Sequence, residues 1–221
     1  MKKYYAEFVS TSILIFIGCG AMVVDTVYDG TLTHLGVALT WGLVVMTMIY
    51  SIGNVSGAHM NPAVTVTFYL AKKFPKKDLL PYLAAQILGA TFGALLLKVI
   101  FPLQELYGNT LISEKVPTIG GFIVEVILSF ILMFVIFNIS TGHKEKGIMA
   151  GVAVGTAVAI DALVGGPITN ASMNPARSLA PAIISGEFRD IWVYLTAPFI
   201  GMFLTIPTVQ AIQREHCCEG V

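Results

Sequence analysis

From Gly30 to Ala71 the chain runs for 42 residues without an Asp, Glu, Lys or Arg. A helix that crosses a hydrocarbon core of about 30 Å needs about 20 residues. The run is too long for one span, so it holds a full span and something shorter. Further charge-free runs cover 8–24, 79–97, 126–142, 147–160 and 191–213. Charged residues make up 12% of the chain, about half the share in a soluble domain. With a mean hydropathy of +0.80, this distribution describes an integral membrane protein. The net charge is zero and no basic patch points to nucleic acid.

The pattern predicts an all-α membrane protein with six spans, near 5–27, 33–53, 79–101, 118–140, 147–166 and 190–212. Two apolar pieces remain, near 61–71 and 174–184. Each suits a helix of about 11 residues and about 16 Å, half the depth of the core. In a six-span arrangement Lys2, Lys3, Lys72, Lys73, Lys76, Lys77, Lys144, Lys146 and Arg214 share one side, against Lys98, Lys115 and Arg189 on the other. That bias places both termini in the cytoplasm of a cell (plasma or inner) membrane. The first apolar run is interrupted by Glu7 and has a partner later in the chain, so it reads as a span and not as a removable leader. Cys19 reads as a small buried residue, and Cys217 and Cys218 as reduced thiols of a cytoplasmic tail.

The chain repeats itself. AEFVSTSILIFI (6–17) resembles VEVILSFILMFV (124–135), which sets Glu7 against Glu125. GVA at 36–38 recurs at 151–153, and YLAAQILG (82–89) recurs as YLTAPFIG (194–201). Met-Asn-Pro-Ala stands at 60–63 and again at 173–176, 113 positions on. The halves, 1–105 and 115–221 of one channel domain, each hold three spans and a half-span. Three is odd, so the second half enters the membrane from the opposite side. Inverted repeats place a functional site at the midplane, where the broken elements meet.

Asn-Pro-Ala is a helix start. Asn caps, Pro suits the first helical position and Ala continues the helix. Asn61-Pro62-Ala63 and Asn174-Pro175-Ala176 then open two half-helices whose positive ends face each other at the bilayer centre. Cations and hydrated protons are repelled there, whereas a neutral molecule that accepts hydrogen bonds from the Asn amides can pass. The segments before the motifs, SGAH (56–59) and NAS (170–172), are expected to be non-helical. Irregular backbone at this depth is tolerated where it lines a water-filled cavity. Carbonyls of Gly57, Ala58, His59, Asn170, Ala171 and Ser172 are therefore candidates to line a pore. Arg177, inside the membrane region, is functional by default; a structural ion pair is the alternative.

The segments SGAHMNPAVT and GPITNASMNPARSLAPA resemble the aquaporin and glycerol-facilitator family, the major intrinsic proteins, with the likeness running from about Tyr4 to Gln213. The resemblance implies six transmembrane helices plus two half-helices as an inverted repeat, a homotetramer with one pore per subunit, and passive passage of water or small uncharged solutes. It implies no cofactor, no metal and no catalysis. It also implies an outer constriction, whose positions fall here on Trp41, Ala162, Ala171 and Arg177. Packing or lipid contact is the alternative for Trp41. Glu7 and Glu125 match family glutamates that accept hydrogen bonds from the half-helix loops; a proton relay is the alternative. Strict water channels place Phe and His where this chain has Trp41 and Ala162. Two alanines leave room, and Trp41 with Arg177 makes an amphipathic ring suited to glycerol, or to a neutral hydroxide such as arsenous or boric acid. Ser178 follows the arginine where glycerol facilitators carry Asp. These features look closest to the nodulin-like, aquaglyceroporin-type branch.

Several residues fit less simply. The His59 ring is expected to bond within its loop, with a pH gate as the alternative. Asp161 adjoins Ala162 and has no assigned role. Gly89, Gly93 and Gly201 are expected at helix contacts. Cys217-Cys218 could hold a trivalent metalloid, though tail thiols more often bind nothing. Other classes stay open: a strict water channel, a secondary transporter built on the same repeats, or an intramembrane enzyme using His34, His59, Cys19 or Asp161.

Overall fold

The computed structural model describes residues 1–140 and 148–214, and side chains as far as Ile212. Lys144, Lys146, Cys217 and Cys218 lie outside the described residues, as does the Arg214 side chain. The helices are α1 (Lys2–Val27), α2 (Thr33–Ser56), α3 (Pro62–Leu70), α4 (Lys76–Ile100), α5 (Thr118–Ser140), α6 (Ala150–Thr169), α7 (Pro175–Ser185) and α8 (Ile191–Arg214). Six of them, α1, α2, α4, α5, α6 and α8, are long and apolar enough to cross a membrane. The half-helices α3 and α7 have 9 and 11 residues, about 14 and 16 Å at the α-helical rise.

The expected spans all occur, with ends moved by up to three residues. One shift matters: α2 continues through Ser56, so the non-helical stretch begins at Gly57. Gly57 ends α2 in the left-handed region at φ 86°, where glycine carries no steric penalty.

Packing follows a two-fold pattern. α1 packs on α4 and α2, as α5 packs on α8 and α6. Each half-helix also touches the last long helix of the other half, α3 on α8 and α7 on α4. At the centre α2 crosses α6. A Cβ on Gly42 would lie 2.4 Å from the Gly155 carbonyl oxygen, and a Cβ on Gly155 would lie 2.6 Å from the Gly42 carbonyl oxygen. Such reciprocity between positions 113 apart marks a dyad axis.

Polarity is inverted relative to a soluble protein. Glu7, Thr11, Gln86, Glu125, Ser129 and Thr205 are fully buried, while Leu43, Leu80, Leu88, Ile127 and Val164 face outward. Without a hydrophobic drive between helices in lipid, close backbone approach holds the bundle. Gly89 sets α4 on α1, where a Cβ would come within 2.3 Å of the Phe8 carbonyl oxygen. Gly93 repeats this at 2.5 Å from Ser12, and Gly201 sets α8 on α5 at 2.2 Å from Val126. At the end holding the N-terminus, the Lys3 ammonium pairs with Asp78 and the Tyr4 hydroxyl donates to Asp78 at 2.6 Å.

Because these obstacles are backbone atoms, they cannot rotate aside. Gly89→Ala and Gly201→Ala are each expected to destabilise the bundle by about 1–3 kcal/mol. Gly53→Ala, whose new Cβ meets nothing nearer than 3.9 Å, is expected to be close to neutral. Thermal denaturation of the detergent-solubilised protein measures all three.

Candidate functional site

Two loops at membrane depth build the site, and both are strained. In the first, Ala58 and Met60 each have φ 49°; in the second, Asn170, Ala171 and Met173 have φ 59°, 43° and 52°. A non-glycine residue in this region costs roughly 1–2 kcal/mol, so the surroundings must hold it there. Glu7 does so in the first loop, accepting the amide N–H of His59 at 2.9 Å and of Met60 at 2.8 Å. Glu125 does so in the second, accepting from Ser172 at 2.8 Å and Met173 at 2.9 Å. Gln86 Nε2 donates to Glu7 at 2.8 Å, and the Thr169 hydroxyl donates to Glu125 at 2.6 Å. The carbonyls of Ser56 and Thr169 accept from the Tyr82 and Tyr194 hydroxyls, at 2.8 and 2.9 Å.

The motifs then act as caps. Asn61 Oδ1 accepts from the Ala63 amide at 2.9 Å, and Asn174 Oδ1 from the Ala176 amide at 3.0 Å. Each Nδ2 donates across the dyad, Asn61 to the Met173 carbonyl at 2.8 Å and Asn174 to the Met60 carbonyl at 2.9 Å. An amide nitrogen carries two protons, so each Asn keeps one uncommitted donor. Pro62, Ala63, Pro175 and Ala176 are buried behind the asparagines.

A cavity of about 260 Å³ runs past this junction. Asn61 and Asn174 are on its wall, together with Gly57, Ala58, His59, Ala171 and Ser172. Asn170 is not on the wall: its carbonyl faces Arg177 Nη2 at 3.5 Å, and its side chain accepts the Leu111 amide at 3.0 Å. The rest of the lining is largely aliphatic, with Val45, Ile49, Leu132, Ile136, Val154 and Val158. Hydrogen bonds are therefore offered by the loops, the asparagines and Arg177, and not by these aliphatic side chains.

Trp41, Ala162, Ala171 and Arg177 line the same cavity. The arginine is 1% exposed. Nη1 donates to the Gly108 carbonyl at 2.6 Å, and Nη2 lies 3.2 Å from Met22 Sδ. The guanidinium carbon sits 4.8 Å from the centre of the Trp41 ring, within cation–π range. Among the described residues the one ion pair is Lys3–Asp78, so Arg177 is held by carbonyls and a ring face. Nε has no partner among them. Trp41 packs flat on Gly18, where a Cβ would meet the indole at 2.4 Å.

Residues absent from the sequence reading complete the site. The loop between α4 and α5 brings Gly108 O to Arg177, and its glycine is required because a Cβ would sit 2.6 Å from Cys19 Cβ. Gln86, Thr169 and Tyr82 hold the loops; the repeat signals Tyr82 alone, which recurs as Tyr194, whereas Gln86 stands against Pro198 and Thr169 against Ser56. The His59 ring finds its partner on α3 and not in its loop: Nδ1 is 3.1 Å from Thr65 Oγ1, and the ring stacks on Phe68. Asp161 is buried away from the cavity wall, with Oδ2 unpartnered among the described residues; nothing in the structure explains an acid there. Cys19, His34, His59 and Asp161 are not brought together: Cys19 lies against Gly108, His34 against Leu163 and His59 against Thr65.

Residues 1–206 match the Major intrinsic protein family, and the chain belongs to that family. It is 45% identical over 204 residues to "Probable aquaporin NIP4-2" of Arabidopsis thaliana, which covers 91% of this chain and 71% of that protein. It is 40% identical to Nodulin-26 of Glycine max, over 91% of this chain and 74% of that one. The X-ray structure of the aquaglyceroporin from Plasmodium falciparum superposes with a TM-score of 0.86 at 25% identity, covering 97% of each chain. The fold is thus the aquaporin fold, with its half-helices in an inverted repeat. The chain is a multi-pass membrane channel for water and small uncharged solutes.

Glu125→Gln sets an amide donor against one of the two loop N–H groups. It is expected to cost about 1–3 kcal/mol, the penalty of one buried unsatisfied group. A lowered melting temperature together with slower osmotic water flow per reconstituted molecule checks it.

Proposed function

We propose that the cavity is a passive pore through a single chain, which conducts water, glycerol and small neutral hydroxides such as arsenous acid while excluding protons and ions. The observation that carries this reading is the pair of asparagines on one cavity wall, each with an uncommitted N–H and each capping a half-helix that points at the other. A water oxygen that accepts from both uses both lone pairs. Its own protons then point up and down the pore, and a chain of proton hops is interrupted. The two positive helix ends add an electrostatic barrier to cations.

The constriction is assigned to Trp41, Ala162, Ala171 and Arg177. Arg177 supplies donors to hydroxyls, Trp41 supplies a flat apolar face, and the alanines leave space for a carbon chain. Loop carbonyls from Gly57, Ala58, His59, Ala171 and Ser172 serve as acceptors along the path. Glu7 and Glu125 are assigned to hold the loops, since their oxygens are occupied by backbone donors. The two repeat halves are assigned to 1–105 and 115–221. Assembly is proposed to be a homotetramer in the cell (plasma or inner) membrane, with both termini cytoplasmic. The orientation rests on lysine placement: Lys3 is tied to the start of α4 through Asp78, so Lys2, Lys72, Lys73, Lys76 and Lys77 gather at that same end.

Stopped-flow light scattering on proteoliposomes tests the reading. Sucrose is expected to cause fast shrinkage, and inward gradients of glycerol or arsenous acid fast re-swelling. Ala162→Phe is expected to slow glycerol entry by about tenfold with water flow largely retained, because a phenyl ring fills the space one alanine leaves. Unchanged glycerol entry in this variant would remove Ala162 from the constriction. Flux no faster than that of empty liposomes would overturn the pore.

A further inference from the structure

Pro167 lies inside α6 and brings no N–H. In an unbroken helix that N–H would donate to the carbonyl four residues earlier, on Leu163. A proline ring in a helix interior also crowds that carbonyl. His34, in the first turn of α2, meets it: Nε2 lies 2.7 Å from the Leu163 oxygen. A carbonyl oxygen only accepts, so Nε2 carries the proton in this contact. The imidazole lies close over the same turn, and a Cβ on Gly166 would come within 2.6 Å of its Cε1.

Three other carbonyls at this end of α6 have partners from outside the regular helix ladder or at its last turn. Gly166 accepts from the Asn170 amide at 2.9 Å, Ile168 from the Ser113 amide at 2.8 Å, and Thr169 from Tyr194 at 2.9 Å. The contact is exposed on the outside of the bundle near the ends of two spans, and without His34 the Leu163 oxygen loses the protein donor that replaces the missing helical one. The first half needs no such device. Its position equivalent to Pro167 is Asn54, which has an N–H.

Leu163 directly follows Ala162, and the turn that contains Pro167 leads into Asn170 and Ala171. We infer that His34 is a positioning residue for the constriction. By replacing the hydrogen bond that Pro167 removes, it fixes the broken turn between Ala162 and Ala171 and so sets where both alanines stand. The inference rests on the assignment of these alanines to the constriction.

The test compares erythritol with glycerol entry into proteoliposomes, because a longer polyol reports small changes in width. His34→Ala is expected to raise the erythritol-to-glycerol ratio about threefold, the scale of one lost hydrogen bond. His34→Gln keeps a donor and is expected to hold the ratio near that of the native chain. Pro167→Ala restores the missing N–H, so His34→Ala in that background is expected to change nothing. An equal effect of His34→Ala in both backgrounds overturns the inference, as does no effect in the native chain. If His34→Ala alone fails to fold, the two Pro167→Ala proteins still decide, because any difference between their ratios contradicts it. Ala162→Phe in the same vesicles separates the two claims. If it blocks glycerol while His34→Ala is silent, the positioning role alone fails; if it leaves glycerol untouched, the constriction assignment fails.

Discussion

A backbone that leaves its helix inside a hydrocarbon layer must find partners for its freed N–H and C=O groups, and here two carboxylates take four of the N–H groups and two tyrosines meet two of the C=O groups. Glu7 and Glu125 each take two consecutive amides of a loop that would otherwise be strained and unpaired. Tyr82 and Tyr194 take the last helical carbonyl before each loop. Once the loops are fixed, the asparagines have only one place to go. Their Oδ1 atoms cap the half-helices, and their Nδ2 atoms reach the opposite loop. The facing of two helix N-termini, which is electrostatically unfavourable, is thus tied across the dyad by a pair of hydrogen bonds.

The dyad is broken in the side chains beside the two motifs. The first loop places His59 next to its motif, with its ring against α3; the second places Ser172, whose hydroxyl meets Ser178. Only the second half-helix carries an arginine after the motif. That arginine sits against Trp41 of the first half and donates to a carbonyl of the loop between α4 and α5. α6 carries a proline where α2 has none, and recruits His34 across the interface between halves. Duplication built the symmetric support, and these asymmetric side chains give one end of the cavity its own chemistry.

Much of this was legible in the sequence, for physical reasons. Span count and half-spans follow from charge-free runs, because burying a charge in lipid costs more than any local propensity supplies. The broken helices follow from Asn-Pro-Ala, which is at once a cap and a first turn. What stayed hidden depends on groups without a side-chain signature. Gly108 matters through its carbonyl, brought from a loop 69 residues away. Gly42 and Gly155 matter because they are absent volume at a crossing, and a glycine in an apolar helix reads the same wherever it faces. Ser56 stayed helical because Gly57, one residue later, offers the cheaper left-handed stop. Pro167 was visible, but the ring that meets the Leu163 carbonyl it deprives of a donor comes from 129 positions before that leucine.

The central claim is that one path admits water while the paired asparagines interrupt proton conduction along it. Osmotic shrinkage and internal pH, followed together in liposomes loaded with a pH-sensitive dye, test this directly. The account predicts water flow far above that of empty liposomes, with a proton leak equal to theirs under an imposed pH gradient. A proton leak that rises in step with water flow, or water flow no faster than through bare lipid, would contradict it.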